Sequence, residues 1–380
     1  MSSVNLAQAL AIDSQLRLPG SAGRLLKQIR DIEQVAPIFR QAGLVKAVDK
    51  PKVVNLQVSG IATRSCLEKA LGGFLYVSAA VRSDLLIADN KVSTLGHDSI
   101  SELDDIDFEA QRKRLELIEI RQSYDLAEKV LQSEEIPDLI LVDTPLFLSR
   151  DMIPLKRNVR HTQEYARTES VIEKFWQKYR ERLYPWDENG PVLAGIMAER
   201  FSAIVSIAKQ DLRTADGRKH LLLTDGFDDS LTNRLDQLEE SLTGIGDLRF
   251  IHGILNSFSR TIAFRMTENR SRMEPATEVE LGVIGFHFRS SQAGQIKMAQ
   301  LAGEETDWGT SKLDEVANRL MVLDMQNHKK AMPLPLLLGY QQLEILPKFA
   351  EYYRKGLHGA LQENEVETTW LTGLDEGFER

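Results

Sequence analysis

A chain of 380 residues with 42% hydrophobic and 27% charged side chains can bury a large core, and its formal net charge of -9 excludes a uniformly basic nucleic-acid-coating protein while leaving room for a local positive channel. The single cysteine, Cys66, excludes an internal disulfide and a cysteine-built zinc or iron–sulfur centre, and it fits a reducing compartment. No basic-then-apolar leader opens the chain, and no apolar run approaches the ~18 residues that span a bilayer, so the expectation is a cytoplasmic protein with no membrane association.

Residues 1–50 read as an N-terminal helical segment: Leu25, Leu26, Ile29, Ile32, Val35 and Ile38 recur at helical spacing, with Pro37 and Gly43 as breakers. Strands are predicted over 53–60 and 74–81, with a third over 91–95. From 107 to 132 the pattern turns helical, with Leu115, Ile118, Tyr124, Leu126, Ala127, Val130 and Leu131 among charges. The run Leu139-Ile140-Leu141-Val142-Asp143-Thr144-Pro145 follows. Continuous aliphatic character marks a strand buried on both faces, so Asp143 emerges at a carboxyl edge, where open α/β sheets place their chemistry.

A polar, basic connection over 150–160 leads to a helix over 169–183, a strand over 192–196 and a helix over 198–212. Further strands are predicted over 220–224, 281–288 and 296–301, with helices over 313–328 and 344–361. Three adjacent strands followed by helix-separated parallel ones specify a ribonuclease H-like mixed α/β sheet flanked by helices, with helical N- and C-terminal additions. The division expected is 1–50 helical, 51–345 core with insertions, and 346–380 C-terminal helix and tail. In such a sheet the first strand, the first long helix and the fourth strand gather carboxylates. Paired carboxylates of that kind hold divalent cations for phosphodiester hydrolysis.

Other chemistry is not signalled. The chain contains no Gly-Lys-Ser/Thr phosphate loop, no Gly-x-Ser-x-Gly elbow and no His-Glu-x-x-His helix. A lone His287 in an alternating strand reads as structural, and Arg289 on the same face can reach a phosphate. The basic groups near the edge, Arg150, Lys156, Arg157 and Arg160, read as solvated positions or as a DNA backbone path, and they follow Asp143 most directly. Asp225, with Gly226, Asp228 and Asp229, reads as a turn or as a replacement ligand at the same edge.

The chain resembles the NurA family of nucleases in the order of four blocks: Gly72-Gly73-Phe74-Leu75-Tyr76-Val77, Leu139-Ile140-Leu141-Val142-Asp143, Val192-Leu193-Ala194-Gly195, and Pro333-Leu334-Pro335-Leu336-Leu337-Leu338-Gly339-Tyr340. The resemblance spans residues 50–350. It implies Mn2+ or Mg2+ if the protein is active, a HerA-like hexameric ATPase translocase as partner, DNA as ligand, a homodimer built on the terminal helices, and a setting in break repair or antiphage defence.

The resemblance also shows departures. Ser59 is expected where the family carries its first-strand aspartate, Tyr124 near its helix glutamate, and Tyr340 at its histidine, while Lys297-Met298-Ala299-Gln300 replaces a segment that usually carries an acid. Asp143 persists, with Asp125 or Glu119 from the helix and Asp225 as replacement carboxylates. Three readings result: a pseudonuclease scaffold that guides DNA, with weak or no cleavage, an active metal-dependent nuclease using relocated carboxylates, or an unrelated ribonuclease H-like protein with different chemistry at the same edge.

Overall fold

The computed structural model describes residues 5–41, 43–70, 73–148, 150–197, 234, 245, 247–265, 281–291, 294–304, 306–325 and 332–364. Three long strands, β2 (Leu56–Ala70), β3 (Gly73–Ala88) and β4 (Lys91–Ile106), form an antiparallel meander. Asp89 and Asn90, both at positive φ, close the turn between β3 and β4, the backbone geometry that matches the twist of a two-residue hairpin.

The short strand β5 (Leu139–Val142) lies parallel to β2 on one side and to β6 (Val192–Met197) on the other. With β1 (Val45–Ala47), β7 (Ser259–Thr261), β8 (Phe264–Arg265), β9 (Val283–Arg289) and β10 (Lys297–Ala302), these make a mixed sheet of order β1-β7-β9-β10-β6-β5-β2-β3-β4, with β8 paired to β9.

Helices cover both faces. On one face α2 (Gln111–Gln132) and α3 (Val159–Tyr179) bring Leu117, Ile120, Ile172 and Phe175 over Ile61, Ile140 and Val142. On the other, α5 (Thr310–Met325) brings Leu313, Val316, Leu320 and Leu323 over Val58, Leu139 and Leu141. Successive β5 residues therefore enter opposite cores, which is why the strand carries no polar residue until Asp143. No helix among the described residues is long and apolar enough to cross a membrane.

Two further helices, α6 (Leu334–Leu343) and α7 (Leu346–Glu363), pack on β2 and β3. The Pro-Leu-Pro-Leu run thus opens a helix, where proline in the first turn costs no intrahelical bond. Contact is close because both sides carry glycine. A Cβ at Gly60 would stand 2.6 Å from Pro335 Cβ, and one at Gly339 would stand 2.7 Å from Ala62 Cβ.

Several boundaries differ from expectation. The first helix, α1 (Leu6–Gln41), runs through Pro19 and Pro37, and its end is held by Ile32, Val35, Ala36, Ile38 and Phe39 packing with Phe250 and Ile251 of α4 (Asp247–Ile254). At Pro37 tertiary burial outweighs the proline penalty, while Pro19 lies in an exposed stretch with no such packing. Strand β4 extends well past residue 95 because it is an edge strand whose mostly exposed polar residues give no apolar alternation. Helix α3 begins at Val159, so Arg160 lies in its first turn. The helix predicted over 198–212 and the strand over 220–224 lie outside the described residues, as do Asp225, Gly226, Asp228 and Asp229.

Candidate functional site

The parallel β2/β5 register pairs Ser59 with Ile140 and Ile61 with Val142, so the two strands lie side by side as the sequence implies. Because β2 continues far beyond the end of β5, the residue facing the Asp143 carboxylate is Thr63, not Ser59. Ser59 sits mid-ladder and donates to Asp84 Oδ1 at 2.5 Å, and Arg82 pairs with the same Asp84 carboxylate at 2.8 Å. The strand-edge position expected at Ser59 therefore moves to Thr63.

Three donors from its own chain converge on Asp143, which is half-buried at the end of β5. The Thr63 backbone N–H donates to Oδ2 at 2.7 Å, the Thr63 hydroxyl to Oδ1 at 2.9 Å, and the Tyr340 hydroxyl to Oδ2 at 2.6 Å. Burial pushes the Asp143 carboxyl up to about 6 against the opposing pull of these donors. Tyr340, half-buried beside the Asp143 charge, is driven well above the ordinary tyrosine range and remains a protonated donor.

A second carboxyl comes from α2. Glu119 accepts hydrogen bonds from the Ser65 hydroxyl and backbone N–H; burial, with the nearby Asp143 charge, raises it to about 7. The Ser65 hydroxyl stands 3.0 Å from that of Ser78, which donates to Gln122 Oε1 at 3.0 Å. Alternation along β2 places Thr63 and Ser65 on the α2 side, so a single strand supplies donors to both acids.

Asp125 does not join them. It is exposed, and its charged neighbours are Arg121, Glu128, Arg167 and Lys129. From 119 to 125 the helix turns about 240°, carrying Asp125 away from the edge. Tyr124 is a core residue: its hydroxyl donates to the Leu146 carbonyl and accepts from Trp176 Nε1 at 3.0 Å. The loop after Asp143 is fixed further by Gln300, whose Oε1 accepts from the Leu146 N–H at 2.6 Å, and by Thr144 Oγ1, which donates to Ser123 Oγ at 3.1 Å. Gly195 lets this loop cross β6, since a Cβ there would meet the Thr144 carbonyl at 2.9 Å.

The basic residues divide. Lys156 and Arg157 are exposed on the connection leading to α3, and Arg160 pairs with Asp107 at 2.6 Å. The residue Arg150 belongs to a short 3-10 turn, Arg150–Met152. Arg289 is buried, with its guanidinium donating to the carbonyls of His252 at 3.2 Å, Leu255 at 3.1 Å and Ser291 at 3.1 Å. Those bonds cap the end of α4 and take Arg289 out of the expected phosphate role. Lys297 is likewise internal and pairs with buried Asp324. Arg64, exposed beside Thr63, adds a positive charge at the rim that acts on Tyr340.

A hard divalent cation needs about six oxygen ligands, more than one of them charged. Among the described residues no group of three or more His, Cys, Asp or Glu gathers to hold one. Of the acids present, Asp143 has both oxygens hydrogen-bonded internally and Glu119 is held by Ser65. Among the described residues the donor set does not fit a two-cation phosphodiesterase centre. Sequence patterning missed Thr63, Ser65 and Arg64 because their roles depend on how far β2 outruns β5.

No family model and no curated protein matches the sequence. The structure is similar to the NurA nuclease from Sulfolobus solfataricus, with a TM-score of 0.55 and 14% identity, covering 96% of this chain and 99% of that one. A second NurA structure has a TM-score of 0.46 and 13% identity over 91% and 97% of the two chains. A NurA structure with manganese has a TM-score of 0.45 and 12% identity over 92% and 98%. The chain has a divergent NurA-like fold across almost its whole length.

Proposed function

We propose that this chain is a NurA-like subunit that acts on DNA ends with a HerA-type hexameric translocase and guides the DNA, with weak or no cleavage of its own. The observation that carries this reading is the state of Asp143: three internal hydrogen bonds from Thr63 and Tyr340 occupy the carboxylate where a cation would have to bind. The run β4-β3-β2-β5-β6 supports a ribonuclease H-like core, in which that edge is the cleavage site of an active enzyme. Lys156, Arg157 and Arg64 supply exposed positive charge for a DNA backbone, with Arg150 on the connection that carries Lys156 and Arg157, and Arg160 in the first turn of α3. Exposed apolar side chains on α1 and α7 support a homodimer.

A metal-dependent nuclease using Mn2+ or Mg2+ is the second reading, favoured by Glu119 lying close enough to Asp143 to feel its charge. Degradation of linear DNA in Mn2+ or Mg2+, by wild type and Asp143→Ala, with and without the translocase, separates the two. Inert wild type that still binds DNA is expected. Cleavage lost specifically in Asp143→Ala replaces the guide by the nuclease.

A further inference from the structure

We infer that Asp143 is the acceptor of a clasp that ties three elements together, with β5 supplying the carboxylate, β2 closing it through Thr63 and α6 closing it through Tyr340. The inference rests on the non-cutting reading and gives the edge carboxylate a different duty: it fixes the helix that covers the sheet.

Each part of the geometry serves docking. Gly60 and Gly339 remove the side chains that would keep α6 off β2, so that Pro335 sits against Gly60 and Ala62 against Gly339. Tyr340 follows Gly339 directly, so close approach of the helix carries the phenol to the strand end, 2.6 Å from Asp143 Oδ2. Leu336 and Leu337 anchor the preceding turn as buried residues. Apolar packing alone leaves a helix free to slide along the sheet. A charged acceptor taking one bond from the helix and two from the strand defines a single register.

Asp143 also joins β2 to β5 by another route, since its own N–H donates to the Ile61 carbonyl at 3.2 Å. The clasp therefore sits where the last rung of the parallel ladder ends. Side-chain bonds continue the pairing that the backbone can no longer supply.

The test is a double-mutant cycle on the full chain. Tyr340→Phe and Thr63→Val each remove a donor hydroxyl with little change of shape, and Asp143→Asn keeps volume but removes charge. Each hydroxyl deletion, Tyr340→Phe and Thr63→Val, is expected to lower the melting temperature by about 2–4 °C or more. Tyr340→Phe in the Asp143→Asn background should cost clearly less than in wild type, and hydrogen exchange should show lost protection over 334–343 in Tyr340→Phe and in Asp143→Asn. Additive losses, or unchanged protection over 334–343, would overturn the clasp. A rise in wild-type melting temperature with Mn2+ that vanishes in Asp143→Asn would also overturn it, because the carboxylate would then be serving a cation. DNA cleavage by wild type bears separately on the non-cutting reading, while additivity sinks the clasp and leaves that reading intact.

Discussion

Thr63 gives Asp143 two donors at once, its backbone N–H at 2.7 Å from Oδ2 and its hydroxyl at 2.9 Å from Oδ1. A carboxylate at position 63 would reverse that relationship, placing an acceptor where the hydroxyl donates and a second negative charge against Asp143 and Glu119. Like charges in that arrangement are relieved by a cation. Thr63→Asp is expected to be less stable than wild type in a chelator and to regain stability with Mn2+, while wild type ignores the metal. Thermal melts against Mn2+ concentration check this; a variant as indifferent to Mn2+ as wild type would refute it.

The paired acids make stability depend on pH in an unusual direction. Burial holds Asp143 at about 6 and Glu119 at about 7, both above the unfolded range near 4. Between those limits the folded chain binds more protons than the unfolded one, so these groups make stability fall as pH rises from about 4 to about 7 and level off above that window. Glu119→Gln removes the larger contributor and is expected to flatten the decline, with the gain over wild type growing between pH 5 and pH 8. Urea midpoints at the two pH values measure it, and parallel wild-type and variant curves would refute the assignment.

Close helix docking predicts a steric penalty at two small residues. An alanine Cβ at Gly60 would lie 2.6 Å from Pro335 Cβ and 2.9 Å from the Leu336 nitrogen, and one at Gly339 would lie 2.7 Å from Ala62 Cβ. Backbone and a rigid proline ring cannot yield as a flexible side chain does. Each alanine is expected to destabilise by about 1–3 kcal/mol, as overpacked cores do. Gly356→Ala, with nothing near its Cβ, should be neutral or slightly stabilising, since alanine favours the helix. Chemical denaturation of the three variants gives the comparison.

What the sequence disclosed and what it hid follow from the same physics. Leu139 to Val142 was legible because each residue enters one of two cores, and the strand's central place in the sheet follows from its all-apolar character. Register was not legible. Nothing local to Ser59 or Thr63 states which one faces Asp143; that depends on the 15-residue length of β2 against the four residues of β5. Helix periodicity placed Glu119 and Asp125 on the same element, but choosing between them required knowing which face meets Ser65. Arg289 read as able to reach a phosphate from an alternating strand, yet β9 is covered on both faces and its arginine caps a helix.

The two kinds of arginine and lysine should separate in a DNA-binding assay. Lys156 and Arg157 are exposed, so changing both to alanine is expected to leave stability unchanged and to reduce the salt slope of duplex binding by about 2, one unit per lost phosphate contact. Arg289→Ala is expected instead to destabilise by roughly 2–4 kcal/mol, because carbonyls at the end of α4 lose their charged donor. Fluorescence anisotropy across a salt series and a denaturation curve read the two effects. Equal slopes for wild type and the Lys156/Arg157 variant would remove that connection from the DNA path.

Assembly is testable on the outer face of α7. Phe349 and Tyr352 are 49% and 74% exposed, and together with Ile345 at 51% they fall at i, i+4 and i+7, a continuous apolar stripe. Gly356 and Gly359 carry the same spacing onward, with open space around both, so a partner helix can approach closely. Glutamate at both 349 and 352 puts charge into any interface formed there. Each lost aromatic contact is worth about 1.5–3 kcal/mol, so the pair is expected to weaken dimerisation on the order of 100-fold or more. Sedimentation at matched concentrations measures the shift from dimer to monomer. A wild-type chain that sediments as a monomer, or a double variant that dimerises as well as wild type, would exclude this stripe from the interface.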